Sequence, residues 1–153
     1  MRFGYTMSDN ENTTQHLFGA RLIRDELIPD LLGNHTKDIL YWAGKKLARS
    51  YPCSNEGDII SFFERAEWGV LSIIKQKNDE IHFELSGNVV EERIAHNDPV
   101  FTLEAGFIAE QIAMIKQYHT EAVYTRKKKS CVQIELKSDQ KDPYTLPSRK
   151  ASL

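Results

Sequence analysis

Glu104 stands inside FTLEAGFIAEQIAMIK, residues 101–116, a stretch apolar on nearly every side of the helix it would form. A carboxylate in such surroundings has two readings. It can be a buried acid with a raised pKa, the polar anchor of an otherwise apolar pocket. It can equally be a structural partner for a backbone group or an arginine, or lie exposed near the helix start, where the dipole favours negative charge. Two histidine–carboxylate pairs, His82/Glu84 and His119/Glu121, occur at strand spacing, so each would project to one side of its strand. If those strands were neighbours, the four groups could converge on a metal. No HxH, HExxH or cysteine partner accompanies them, and a solvated sheet face accounts for both. Cys53 follows Pro52 at a helix end, where its thiol is expected to be partly exposed; the nearest histidine along the chain is His35, and no adjacent base would activate it. Cys131 reads as a core or sheet residue. The run Arg126-Lys127-Lys128-Lys129 at a hairpin tip could meet phosphates or anionic headgroups, or be a charged turn that discourages edge aggregation. Tyr41, Trp42, Phe62, Phe63, Trp68 and Phe107 either line a cavity or fill one.

The chain that must position these groups has 153 residues, enough for one domain with a real core. Hydrophobic residues at 41% and charged residues at 27% match ordinary globular proteins. A net charge of −2 and a pI of about 6.2 provide no whole-molecule attraction to nucleic acid or anionic lipid. Two distant cysteines without a CxxC argue against a disulfide framework or a cysteine zinc site. The start, MRFGYTMSDNENTTQH, lacks the apolar run of a secretory signal, and Met7 offers a second plausible start. Nowhere do about 18 apolar residues follow one another, as a membrane helix requires. A cytoplasmic protein is expected, with no transmembrane segment and no nucleic-acid partner.

Residues 1–16 read as a polar leader, 17–137 as one domain and 138–153 as a tail with two prolines. In LFGARLIRDELIPDLLG, Ile23, Leu27 and Leu31 recur at helical spacing, with Leu22 and Ile28 broadening the face. Pro29 should break or restart this helix, and Gly33-Asn34 end it. The second helix, TKDILYWAGKKLARSYP, has Thr36 as its cap and Leu40, Ala43, Leu47 and Tyr51 on one face. The third places Ile59, Phe62, Phe63 and Ala66 together. WGVLSIIKQ and EIHFELSG then form a hairpin, with Ile81, Phe83 and Leu85 on one face. NVVEERIAHN fits a strand, an irregular turn or a short helix. Asp98-Pro99 offers a cap and first position for the long helix, and EAVYTRKKKSCVQIELK forms the second hairpin, with Ala122, Tyr124, Val132, Ile134 and Leu136 facing inward. The fold class is α+β: three N-terminal helices packed on a twisted antiparallel sheet whose two hairpins flank one buried helix. Gly106 and the alanines at 105, 109 and 113 let neighbouring backbones approach that helix.

Four segments, FGARLIRDELIPDLLG, ILYWAGKKLAR, FELSG and FTLEAGFIAEQI, in that order, closely resemble the YslB-like family of uncharacterised Firmicute proteins over about residues 17–137. More distantly, hairpin, LEAGFIAEQI and hairpin are similar to the four-vinyl-reductase domain and its relatives in eukaryotic TRAPP trafficking complexes. That wider resemblance implies a mixed fold, dimerisation through the N-terminal helices and binding of small, often hydrophobic molecules. It implies no catalysis. Ligand-binding prokaryotic members often carry two cysteines in the last hairpin; this chain keeps Cys131 alone.

GxGxxG, Walker A, GxSxG and kinase signatures are absent, so no catalytic residue, metal or cofactor is assigned. The leading expectation is a non-catalytic module that binds a small, hydrophobic molecule between sheet and helices through Glu104, Phe107, Trp42, Trp68 and Phe63. The alternatives are a homodimeric interaction or scaffold protein, for which a filled core would speak, and an enzyme using Glu104 or the histidine–glutamate pairs.

Overall fold

A computed structural model describes residues 17–128 and 130–147. Its first helix, α1, starts at residue 17, passes through a π-helical turn at Leu22–Leu27 and closes as Ile28–Leu32. Pro29 lies in the first positions of the closing segment, so the ladder changes where the missing N–H requires it. Gly33, at φ 56°, takes the left-handed region that ends the helix. After a 3-10 turn, Gly33–His35, come α2, Thr36–Ser50, and α3, Glu56–Arg65. Strands β1, Val70–Gln76, and β2, Glu80–Ser86, form the first hairpin. The ambiguous segment is a helix, α4, Asn88–His96. The long helix α5, Thr102–Lys116, crosses to the second hairpin, β3, Tyr118–Lys128, and β4, Cys131–Pro143. The sheet is antiparallel in the order β1-β2-β4-β3. It is an α+β fold with the hairpins flanking α5, as the periodicity implies.

The alternation read from EIHFELSG is realised: Ile81, Phe83 and Leu85 are buried, and their neighbours on the strand are half-buried. Ala122, Val132, Ile134 and Leu136 complete the inner face of the sheet. Against it pack Ile59 and Phe63 of α3 and Phe107, Ile108 and Ile112 of α5, each wholly inaccessible and worth about 2 kcal/mol in burial. Gly44 of α2 and Gly106 of α5 bring these helices into backbone contact: a Cβ at either would come within 2.1 Å of a carbonyl oxygen of the other helix.

Four local expectations are corrected. Thr36 does not cap α2; it is the first helical residue, and its hydroxyl donates to the Gly33 carbonyl at 2.7 Å. The buried face of α2 centres on Leu40, Gly44 and Ala48, because the glycine contact with α5 turns Tyr51 outward. α5 begins at Thr102 rather than at Asp98-Pro99 and has no side-chain cap. The sheet also runs past position 138: β4 extends to Pro143, and Ser138 is buried with its hydroxyl 2.8 Å from that of Thr120. The expected leader, and the expected tail from 148 on, lie outside the described residues. At α3, Asn55 is the cap and accepts the Asp58 N–H at 2.9 Å.

The edges of the sheet differ. β1 carries a bulge at Ile74, between the pairs Ile73–Phe83 and Lys75–His82. Beside β3 stands α2, whose Tyr41 hydroxyl accepts the Ala122 N–H at 3.1 Å.

Candidate functional site

An unbroken run of α5, residues 104–113, is buried, so its polar side chains must find partners inside the protein. Glu104 finds two. One terminal nitrogen of Arg24, from α1, donates to both carboxylate oxygens at 2.8 and 3.0 Å. Arg93, from α4, donates to Oε2 of Glu104 at 2.9 Å. The rest of its guanidinium engages Asp25 at 2.8 to 3.1 Å and the Val100 carbonyl at 3.1 Å. The Phe101 ring lies 4.3 Å from the same guanidinium carbon. Two carboxylates and two arginines thus tie α1, α4 and α5 together, with Asp25, Arg93 and Glu104 buried and Arg24 partly exposed. Burial alone would raise the Glu104 pKa, but the charges of Arg24 and Arg93 outweigh it and hold the carboxyl below the usual carboxylate range. The raised pKa expected of a ligand anchor is therefore corrected: Glu104 is an ionised structural partner of arginines.

Phe63, Trp68 and Phe107 meet beside this network with Phe62. Phe62 and Phe107 stack at 4.5 Å; Trp68 stands edge-on to Phe63 at 5.1 Å and to Phe107 at 5.3 Å. These rings fill the space between helices and sheet.

Trp42 is apart from them. It is 66% exposed on the outer side of α2. With Tyr41, Ala105, Val123 and Tyr124 it lines an open cleft of about 430 Å³ between α2, the start of α5 and β3. Lys37, Asp38 and Glu121 supply its polar margin. The Tyr41 hydroxyl donates to Glu121, which Lys45 also holds at 2.9 Å. Burial and this carboxylate push the phenol pKa up. The Lys45 ammonium lies 4.9 Å from the Tyr41 ring and 5.3 Å from the Trp42 ring. Tyr41 and Lys45, one turn of α2 apart, are thereby both tied to Glu121 across the gap to β3.

The histidine pairs do not converge, because β4 separates β2 from β3. His82 is engaged by Glu80 and by Gln133, the latter at 2.9 Å. His119 and Glu121 border a wide, charged depression of about 670 Å³ with Lys137, Asp139 and Asp142. Among the described residues no group of three or more His, Cys, Asp or Glu is placed to hold a metal. Cys53 and Cys131 are half-buried free thiols. Gln111 clamps the chain at Cys53, accepting its backbone N–H at 2.9 Å and donating to the Tyr51 carbonyl at 2.7 Å. Burial and Asp58 push the Cys53 thiol pKa up, away from a reactive thiolate. Arg126 pairs with Asp98 at 2.8 Å; Lys129 lies outside the described residues.

An antiparallel sheet of two hairpins joined by a buried crossing helix defines a class of small α+β domains, and similar structures have been solved. The phenol-responsive sensory domain of the transcription activator PoxR, solved with phenol, has a TM-score of 0.56 at 11% identity, covering 80% of this chain and 74% of that one. A vinyl-4-reductase family protein from Methanocaldococcus jannaschii also has a TM-score of 0.56, at 16% identity, covering 91% of this chain and all of the other (100%). By sequence, the chain belongs to the family described as protein of unknown function, DUF2507, which matches residues 17–137. It is 37% identical over 144 residues to the uncharacterized protein YslB of Bacillus subtilis (strain 168), spanning 93% of this chain and 97% of that protein.

Proposed function

We propose that this protein is a non-catalytic, cytoplasmic module that binds a small hydrophobic molecule in the cleft between α2 and β3. The observation that carries this reading is the composition of the cleft wall. Tyr41, Trp42, Val123 and Tyr124 surround about 430 Å³ of open space, a volume within the range of small-molecule sites. Trp42 and Val123 stay more than 60% exposed there, at 66% and 63%. Aromatic surface in a concave site favours a flat, apolar guest, with Asp38 and Glu121 placed to orient a polar end. The mutual packing of Phe63, Trp68 and Phe107 supports the cleft, rather than the helix–sheet interior, as the place of binding. These residues and Glu104 hold α5 against the cleft from behind. A domain of the same fold was solved with phenol; that likeness concerns the architecture and supports only its capacity for such guests.

Native mass spectrometry of gently purified protein tests the reading. A small apolar adduct, released by organic solvent, is expected on the wild type and is expected to be lost in Trp42→Ala. An adduct that survives Trp42→Ala, or a clean protein throughout, would move the assignment to a second reading. That reading is a homodimeric interaction protein, and a specific observation favours it. α1 exposes Phe18, Leu22, Ile23, Leu27 and Leu31, between 45% and 72% accessible, on a single helix.

A further inference from the structure

Three charged side chains border the α2–β3 cleft: Lys37, Asp38 and Glu121. Both oxygens of Glu121 are already engaged, one by the Lys45 ammonium at 2.9 Å and the other by the Tyr41 hydroxyl. Asp38 is thereby the freer acceptor. Lys45 is buried, with its ammonium 4.9 Å from the Tyr41 ring and 5.3 Å from the Trp42 ring. A cationic guest entering beside these rings meets that fixed ammonium; an anionic one meets Asp38 and Glu121. Lys37 and Lys45 set against Asp38 and Glu121 leave no net charge around the cleft. An ion of either sign would therefore shed hydration there without a free counter-charge. Lys37 and Asp38 remain to read the guest. Helical spacing sets Lys37 one turn before Tyr41 and Asp38 one turn before Trp42, so an ammonium and a carboxylate stand side by side at one end of the aromatic wall. Both are exposed, so they choose among guests more than they add affinity. An ammonium only donates and a carboxylate only accepts. Their complement is an acceptor and a donor on neighbouring atoms, whereas a hydroxyl would have to serve both from one atom.

We propose that the guest of the cleft is an uncharged planar ring with a lactam edge, an N–H beside a C=O. The ring lies against Tyr41 and Trp42, where aromatic faces favour a flat partner. Asp38 accepts the N–H, and Lys37 donates to the carbonyl oxygen. This assignment rests on the binding reading given above and names the chemical class of its ligand.

The test uses four probes of similar shape and different edge. Each is titrated into the full chain at constant ionic strength while the Trp42 indole N–H resonance, assigned with Trp42→Phe, is followed. 2-Quinolone has the lactam edge, and 1-methyl-2-quinolone keeps its ring and carbonyl but lacks the N–H. Quinoline-2-carboxylate and 1-methylquinolinium carry a negative and a positive charge. 2-Quinolone is expected to bind about fivefold more tightly than each of the others. In Asp38→Ala, with an unchanged circular dichroism spectrum, 2-quinolone is expected to fall to the affinity of its N-methyl analogue. A merely structural role for Asp38 would instead weaken the two together. Equal binding of these two by the wild type, or a preference that survives Asp38→Ala, overturns the lactam assignment and leaves the cleft a plain apolar site. A charged probe that binds as tightly as 2-quinolone overturns it as well. No saturable shift with any of the four overturns the binding reading itself, and the lactam assignment with it.

Discussion

Replacing Glu104 by Gln keeps its shape and leaves Arg24 and Arg93 buried against a neutral amide. Losing one partner of a buried ion pair costs about 3 to 5 kcal/mol, and urea unfolding of Glu104→Gln at neutral pH is expected to show a loss in that range. The pH dependence has a definite sign. The folded-state pKa lies below the ordinary value, so the carboxylate contributes stability above the ordinary pKa and loses it as pH falls through the lower one. Wild-type stability is therefore expected to fall more steeply than that of Glu104→Gln below about pH 4. Parallel acid limbs in the two unfolding series would refute the ion-pair account. At this scale the sequence displays the anomaly and withholds its solution. A glutamate inside an apolar helix needs a cation, but Arg24 is 80 residues away and sits beside Asp25 on what looks like the wet side of α1. Trp42 is misleading in the opposite sense: its type suggests core, and only the turn of α2 imposed by Gly44 shows that it faces out.

At the scale of elements, the crossing of α2 and α5 is the most sensitive junction. Gly106→Ala gains about 1 kcal/mol of helix propensity, yet its Cβ would lie 2.1 Å from the Tyr41 carbonyl oxygen, a backbone atom that cannot step aside. A net loss of about 3 kcal/mol is expected, read as a lower urea midpoint; an unchanged midpoint would mean that the helices separate freely. Asn55→Ala removes the α3 cap and is expected to cost about 1 kcal/mol in the same assay. The two hairpins and α5 were legible because burial on one face, or on all faces, writes itself into residue spacing. α4 was not, since only Val90, Arg93 and Ile94 of its nine residues are buried, and one of those is an arginine. α1 shows the limit of the method. Spacing reveals that Ile23, Leu27 and Leu31 share a face, but not that the opposite face, with Asp25, is the one turned inward.

For the whole molecule, that inversion gives α1 an apolar outer surface, which a second copy would cover. On the homodimer reading proposed above, the wild type is expected to sediment as a dimer and the double variant Leu27→Glu/Leu31→Glu as a monomer with its helical content intact. A wild-type protein that is monomeric throughout would remove the dimer and leave the cleft as the functional surface. No helix among the described residues is long and apolar enough to cross a membrane. The sheet has its own consequence for assembly. Tyr41 occupies the Ala122 N–H at the β3 edge, and the bulge at Ile74 interrupts the β1 edge. A foreign strand laid along either side would meet a break in its hydrogen-bond ladder, so neither edge is a full-length template for run-on growth into a fibre.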